Sequence, residues 1–190
     1  MSASDIYKLI CETANGNLDA FAELYNLTRV QVYGLAMAIL RNNSLSEDIM
    51  QEVFIQIMKS AHSFKPSNKG KQWILKIARN LSYDLLKKRK HEFSSEDFSG
   101  LYENIESDEI NKSIDCMIFK ETMDKLSIRE REIVYLYVLN GFNHKEIAKI
   151  IGIPYATVRW KYHYAIKKLS RFLKLNEFLQ EGADYNASKI

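Results

Sequence analysis

Apolar residues recur at intervals of three and four along most of the chain, the spacing that places them on one face of an α-helix. From residue 4 to residue 90 no segment alternates apolar and polar positions as a strand would. The pattern therefore predicts an all-α fold. The last helix of this part is expected from Lys71 to about Lys90, with these residues on its buried face: Trp73, Ile74, Ile77, Leu81, Leu85 and Leu86.

Polar and glycine-containing stretches interrupt this pattern where helices should end. Asn15-Gly16-Asn17 and Asn42-Asn43-Ser44 predict turns, and a third break runs from Phe64 to Gly70. Asp19 and Ser46 stand where they could cap the helices that follow the first two turns.

An acidic stretch without helical period, His91 to about Asp115, predicts an exposed linker. Periodicity returns after it, where Ser127 precedes Glu130 at capping-box spacing and Gly141 and Gly152 are expected to end two helices. We predict two small helical domains joined by an acidic flexible linker. Their bounds are 1–91 for the first domain, 92–117 for the linker, 118–175 for a helix-turn-helix domain and 176–190 for a C-terminal tail.

Charge alternates in blocks beneath a net charge of +3. Residues 57–90 hold ten Lys or Arg against one acid, and residues 120–175 hold twelve against five. Residues 91–119, between them, have one basic residue against eight acids. Two basic blocks separated by an acidic one indicate two surfaces for a polyanion, joined by a segment that avoids or imitates it.

Composition argues against several classes of protein. No apolar run approaches the length of a membrane span, and the acidic N-terminus does not resemble a secretion signal, so a cytoplasmic protein is expected. Cys11 and Cys116 lie far apart without partners at metal spacing, which predicts reduced thiols rather than a disulfide or a zinc site. No metal or other cofactor is expected.

The stretch from Lys145 to Leu169 has the pattern of a DNA-binding helix-turn-helix. A short helix with one apolar face ends at Gly152, and Pro154 suits the first position of the next helix. A helical hairpin with a solvated basic face is the alternative. In the DNA-binding interpretation, the residues that read bases or hold phosphates are Tyr155, Thr157, Arg159, Trp160, Lys161 and His163.

With the upstream segments included, the chain resembles the bacterial RNA polymerase sigma factors of the two-domain, extracytoplasmic-function type. Three stretches carry the resemblance in family order: "SEDIMQEVFIQIMKS" (Ser46–Ser60), "WILKIARNLSYDLLKKRK" (Trp73–Lys90) and the segment Leu126–Leu169. The resemblance implies a subunit without enzymatic activity that binds core RNA polymerase and directs transcription from promoters with −10 and −35 elements.

The resemblance assigns the helix of Ser46–Ser60 to polymerase docking through Asp48, Gln51 and Glu52. These positions are three and four residues apart, so they share one helix face. A helix N-terminus that simply favours acids is the alternative.

The resemblance assigns the loop Phe64–Lys71 and the following helix to the melted strand of the −10 element. Such a strand needs aromatic stacking, contacts to base edges and cations. The residues of those types are Lys65, Lys69, Lys71, Trp73, Lys76, Arg79, Asn80, Tyr83 and Arg89. Trp73 is equally compatible with a core position, and Lys87–Lys90 with a general phosphate clamp.

The second helix of the helix-turn-helix would read the −35 element as duplex. Family members usually have a small residue where Trp160 stands and a basic one where Tyr164 stands, so the sequence leaves open an apolar contact with thymine methyl groups. The acidic linker either imitates nucleic acid in a channel of polymerase or keeps the segment soluble.

Two rival functions are distinguishable from this one. A free-standing helix-turn-helix regulator would not need the basic and aromatic helix of the first domain. An enzyme would need a nucleophile with its base, or a metal site, and neither accompanies the best candidates, His144 with Glu146 and His163, or the carboxylates near Glu47.

Apolar surfaces left open between two tethered domains would also suit an anti-sigma protein.

Overall fold

The computed structural model describes residues 3–65, 69–92 and 123–187, in which every regular element is helical. This confirms the all-α prediction, while the linker interior and Cys116 lie outside the described residues. The first part consists of α1 (Ala3–Ala14), α2 (Leu18–Leu40), α3 (Asn43–Ser60), a 3-10 turn (Ala61–Ser63) and α4 (Gly70–Glu92). The second consists of α5 (Ile128–Val134), a π-helical turn (Tyr135–Leu139), α6 (His144–Ile151) and α7 (Tyr155–Ala187).

The first four helices enclose an apolar core because their three-and-four stripes all face inward. Helix α2 lies at the centre and contacts α1, α3 and α4. The side chains of Ile10, Leu24, Leu35, Ile57 and Ile74 are fully or almost fully buried there. This packing of the apolar faces leaves the polar faces of α3 and α4 on the outside of the four-helix core.

Two helix starts differ from the sequence prediction. Helix α2 is capped by Asn17 rather than Asp19, and α3 by Asn42 rather than Ser46, each amide oxygen accepting from a backbone N–H three residues later. Ser46 is instead buried inside α3, where its hydroxyl donates to the Asn42 carbonyl at 2.6 Å. In both cases an asparagine stands directly before the first helical residue, and asparagine competes well with Asp or Ser for the cap position.

The second part begins and turns where the sequence predicts. Ser127 and Glu130 form the capping box of α5, with the Ser127 N–H donating to Glu130 Oε2 at 2.8 Å. Helix α6 starts with a second capping box, between Asn143 and Glu146. Gly152 ends α6 in the left-handed region at φ +71°, which directs the chain into α7.

The two parts pack against each other in this structure. Helix α5 lies against α2, and α6 lies against α4. Ile133 and Leu136, both fully buried, join the same apolar cluster as Leu35 and Ile74. The Arg131 guanidinium crosses the junction and donates from Nε to the Ala38 carbonyl at 2.8 Å. Among the described helices, none is long and apolar enough to cross a membrane.

Candidate nucleic-acid and polymerase interfaces

Helix α3 presents a polar face that is separated from its buried face. Ile49, Val53 and Ile57 point into the core, whereas Asp48, Gln51 and Glu52 are all exposed. The exposed stripe continues through two residues that the sequence reasoning did not select, Ile55 (43% exposed) and Met58 (50% exposed). The sequence alone does not distinguish these two residues from core positions, because the helix is rich in apolar residues and only the burial shows that both are exposed.

The exposed cations of the predicted −10 surface lie at the start of α4 and along it. Lys65 and Lys69 are exposed ahead of α4, and Lys76 and Asn80 are exposed on α4. Trp73 is half-buried, with its ring 5.0 Å from that of Phe64. This packing fixes the Trp73 ring against the body of the first part, in agreement with the alternative core interpretation of that residue.

Arg79 and Tyr83 point toward the second part of the chain. Glu132 of α5, which is fully buried, accepts a hydrogen bond from Arg79 Nε at 2.6 Å and another from the Tyr83 hydroxyl at 3.0 Å. Arg129 completes the cluster with a 3.2 Å contact from its guanidinium to Glu132. Both carboxylate oxygens of Glu132 are therefore occupied, and the Arg79 charge is balanced within the chain.

The Tyr83 ring is enclosed between two guanidinium groups. Arg79 lies 4.6 Å and Arg129 4.7 Å from the ring centre. Burial, followed by the charge of Glu132, raises the pKa of Tyr83 well above its ordinary value, while the two arginines oppose that rise. In this arrangement the ring is not available for stacking on a base.

Lys71 and Gln72 also contact the second part. The Lys71 ammonium donates to the Asn140 carbonyl at 3.3 Å and lies 5.3 Å from the centre of the Phe142 ring. Burial lowers the pKa of Lys71. Gln72 donates to Glu146 at 3.2 Å. The predicted −10 set is thus divided between exposed residues and residues that are engaged with α5 to α6.

Arg89 lies apart from these groups, toward the end of α4. It is half-buried and contributes to a mostly apolar groove that is formed by α2, α3 and α4, with Ile128 of the second part also in its lining. The groove has a basic rim near Arg89, and its lining residues include Ile39, Leu40, Leu45, Leu85, Leu86, Lys87, Lys90 and Ile128.

The helix-turn-helix brings together the residues predicted for duplex reading. Val158 and Ala165, both fully buried, fix the inward face of α7. Tyr155, Arg159, Trp160 and His163 are exposed, whereas Thr157 and Lys161 are half-buried.

Aromatic side chains support the start of α7 from the side of α6. His144 stacks on Tyr137 at 4.7 Å and also contacts Tyr162 at 5.0 Å. Burial, and then the nearby positive groups His163 and Arg159, lower the pKa of His144. The His144 imidazole therefore packs between α6 and α7, in contact with the rings of Tyr137 and Tyr162.

Comparisons with known proteins match both parts of the chain. The family model described as Sigma-70 region 2 matches residues 24–92, and that of Sigma-70, region 4 matches residues 116–169. The ECF RNA polymerase sigma factor SigM of Bacillus subtilis (strain 168) is 30% identical over 139 residues, which cover 72% of this chain and 85% of SigM. SigW of the same strain, another ECF RNA polymerase sigma factor, is 27% identical over 181 residues, which cover 89% of this chain and 97% of SigW.

A solved structure has a similar fold. The sigma factor RpoE of Bartonella quintana, crystallised with the anti-sigma factor NepR, superimposes with a TM-score of 0.69 at 25% identity. The match covers 81% of this chain and 96% of that one.

Proposed function

Because the chain belongs to the extracytoplasmic-function RNA polymerase sigma factors, we propose that it binds core RNA polymerase and directs initiation at promoters with −10 and −35 elements. The observation that carries this is the presence of both sigma regions, in order, on one chain whose second region holds a solvent-facing helix-turn-helix. A free-standing regulator is not favoured, since it would leave the region 2 match without a use. The protein acts as a specificity subunit in the cytoplasm and catalyses no reaction itself.

The docking surface for polymerase is the exposed stripe of α3. Asp48, Gln51 and Glu52 supply charge and hydrogen-bonding groups, and Ile55 and Met58 add apolar area beside them. A helix face that combines exposed polar groups with exposed apolar side chains is typical of a protein interface rather than of a solvated helix.

The −10 surface is formed by the loop before α4 and by α4 itself. The exposed Lys65, Lys69, Lys76 and Asn80 are directly available to a melted strand. Cations of this kind contribute sequence-independent affinity, and the Asn80 amide can pair with a base edge.

The remaining members of the −10 set differ in how they could take part. Trp73 and Arg89 are half-buried at its two ends. Lys71, Arg79 and Tyr83 become available only when the segment from α5 to the start of α6 moves away from α4, because their partners Asn140 and Glu132 lie in that segment.

The −35 surface is the exposed face of α7. Arg159 can pair with guanine through two hydrogen bonds, while His163 and Trp160 lie beside it for further base contacts. Tyr155, Thr157 and Lys161 lie at or near the first turns of the helix, where hydroxyl and ammonium groups can hold phosphates.

An anti-sigma protein is a further partner of the kind that such a factor would have. The apolar groove at the end of α4, with Lys87, Arg89 and Lys90 at its rim, is suited to an amphipathic segment with acidic residues. Occupation of that groove would hold the two parts of the chain together.

Run-off transcription tests the proposal. Purified core polymerase is incubated with fragmented genomic DNA in the presence and absence of the full chain, and a gel shift is performed with the chain alone. Start sites that need both components are expected, with two common upstream elements. Sequence-specific binding by the chain alone without any new transcript would contradict the proposal.

Charge reversal on α3 tests the docking surface. Asp48→Arg should abolish assembly with core polymerase, measured by co-elution, because it replaces an anion with a cation at the start of the exposed stripe, one turn from Glu52. Glu23→Arg, on the exposed surface of α2, is the matched control and should assemble normally. Equal assembly of both variants would remove α3 from the interface.

A further inference from the structure

Two aromatic rings are stacked on the solvent side of α7. Trp160 and Tyr164 lie one turn apart, with ring centres 5.3 Å apart and planes inclined by only 7°. Trp160 is 61% and Tyr164 45% exposed, although both are large enough to be core residues. Adjacent exposed aromatics on a helix are typical of a surface that meets a partner.

The position of the pair around the helix identifies that surface. Val158 and Ala165 are fully buried and mark the inward side of α7. At about 100° per residue, Trp160 and Tyr164 lie roughly 200° and 240° around from Val158, which is the side opposite the core. Arg159 and His163 are exposed next to them. The stack therefore belongs to the same face as the groove-reading residues.

The stack is supported from the protein side by a chain of contacts. The Lys168 ammonium lies 4.6 Å from the centre of the Tyr164 ring and contacts both carboxylate oxygens of Glu130 at 3.1 and 3.0 Å. Glu130 is only 4% exposed and is itself held by the capping box with Ser127. Glu130 thus holds Lys168 in place, and Lys168 in turn holds the Tyr164 ring on which Trp160 stacks.

Neither ring is suited to the hydrogen-bond code of the major groove. An indole offers one N–H donor and a phenol one hydroxyl, so neither can form the paired contacts by which Arg or Asn identifies a base. The C5-methyl group of thymine is the apolar feature that a base pair presents in the major groove. A flat apolar surface at this location therefore matches thymine better than the other bases.

We propose that the Trp160–Tyr164 stack selects thymine in the −35 duplex, with Trp160 contacting the methyl group and Tyr164 acting as a positioning residue that holds the indole. The inference rests on the proposed function, because it requires α7 to enter the major groove of the −35 element. The Lys168 ammonium holds Tyr164 in place through its contact with the Tyr164 ring. Because Tyr164 holds the indole in one orientation, Trp160 meets the methyl group in a defined geometry, and loss of the stack should reduce the discrimination.

Replacing thymine by uracil isolates the methyl group. Holoenzyme assembled from the full chain and core polymerase is titrated with promoter duplexes in which each thymidine of the −35 element, taken from the run-off start sites, is changed singly to deoxyuridine. Wild type should lose about fourfold in affinity at one or two of these positions, the effect of one methyl-sized group leaving an apolar contact. Trp160→Ala should bind thymine and uracil duplexes equally.

Tyr164 variants separate positioning from simple contact. The quantity compared is the affinity for the thymine duplex divided by that for the uracil duplex. Tyr164→Ala should reduce this ratio toward one. The conservative Tyr164→Phe should keep the wild-type ratio, because the phenyl ring can still stack. Lys168→Met should give an intermediate ratio. The ratio is independent of any general loss of phosphate contacts, which would weaken both duplexes equally.

The outcomes distinguish this inference from the proposed function. If wild-type holoenzyme shows no dependence on any upstream element, the proposed function fails. If it depends on the element but tolerates uracil everywhere, or if Trp160→Ala retains the wild-type ratio, the thymine contact is wrong. A Tyr164→Ala ratio equal to that of wild type would remove the positioning role.

Discussion

Gly34 is the position at which a single methyl group should separate the two parts of the chain. It lies within α2 beneath Tyr135, and a Cβ atom added there would be 2.6 Å from Tyr135 Cζ and 2.8 Å from Cε2, and closer still to the hydroxyl oxygen. The Tyr135 hydroxyl donates to the Gln31 carbonyl at 3.1 Å across the junction. Gly34→Ala should therefore displace the Tyr135 ring and open the contact of α2 with the π-helical turn and the adjoining α5.

The magnitude follows from two terms. Overpacking of a closely packed contact costs about 1–3 kcal/mol, and loss of the Tyr135 hydrogen bond costs about 1 kcal/mol. The opening equilibrium should therefore shift by about 2–4 kcal/mol, which is roughly thirtyfold or more at about 1.4 kcal/mol per tenfold. Alanine also stabilises a helix interior by about 1 kcal/mol over glycine, but α2 is helical in both arrangements, so this gain does not affect opening.

Two measurements check the Gly34→Ala prediction. The radius of gyration from small-angle X-ray scattering should increase, and affinity for a single-stranded −10 oligonucleotide should rise, because opening frees Arg79 and Tyr83 from Glu132. In a Tyr135→Ala background, which removes the colliding ring, Gly34→Ala should have no further effect. An equal effect of Gly34→Ala in both backgrounds, or an unchanged radius in the wild-type background, would refute the reasoning.

Three further changes test individual contacts. Glu132→Gln should raise affinity for the same oligonucleotide roughly tenfold, since it weakens charged hydrogen bonds worth about 1.5–3 kcal/mol each; Glu23→Gln, on the exposed face of α2, should leave it unchanged. Burial acts to raise the pKa of Glu130, but hydrogen bonds from Ser127 and Lys168 lower it overall, so this carboxylate stabilises the fold above its unfolded pKa and the contribution is lost as pH falls through the folded pKa. Urea unfolding of Glu130→Gln should accordingly show a shallower loss of stability in acid than wild type, and parallel curves would contradict this. Gly152→Ala should destabilise the helix-turn-helix by about 1–2 kcal/mol, because φ is +71° and no neighbouring atom is close enough to add a clash; an unchanged melting temperature would contradict the role of that turn.

Local chemistry explains how much of the fold and the site could be predicted. The α-helical period, the Ser127–Glu130 capping box and the left-handed turn at Gly152 each depend on residues a few positions apart, so the sequence displays them directly. The exposed α3 face followed from the same periodicity. The cap predictions at Asp19 and Ser46 were wrong because Asn17 and Asn42 offer equivalent oxygens nearby, and a pattern does not rank such neighbours.

Contacts between distant segments were decided by the tertiary structure alone. Helical period placed Arg79 and Tyr83 away from the core of their own helix bundle, but it contained no information about Glu132, some fifty residues later. Gly34 likewise has no local signal, since its significance arises only from the Tyr135 ring packed against it. The sequence by itself determined which residues have the charge, aromatic character and helical position suited to nucleic acid, because these are local properties. Which of them are engaged within the chain depends on how its two parts pack, and that is a property of the three-dimensional arrangement.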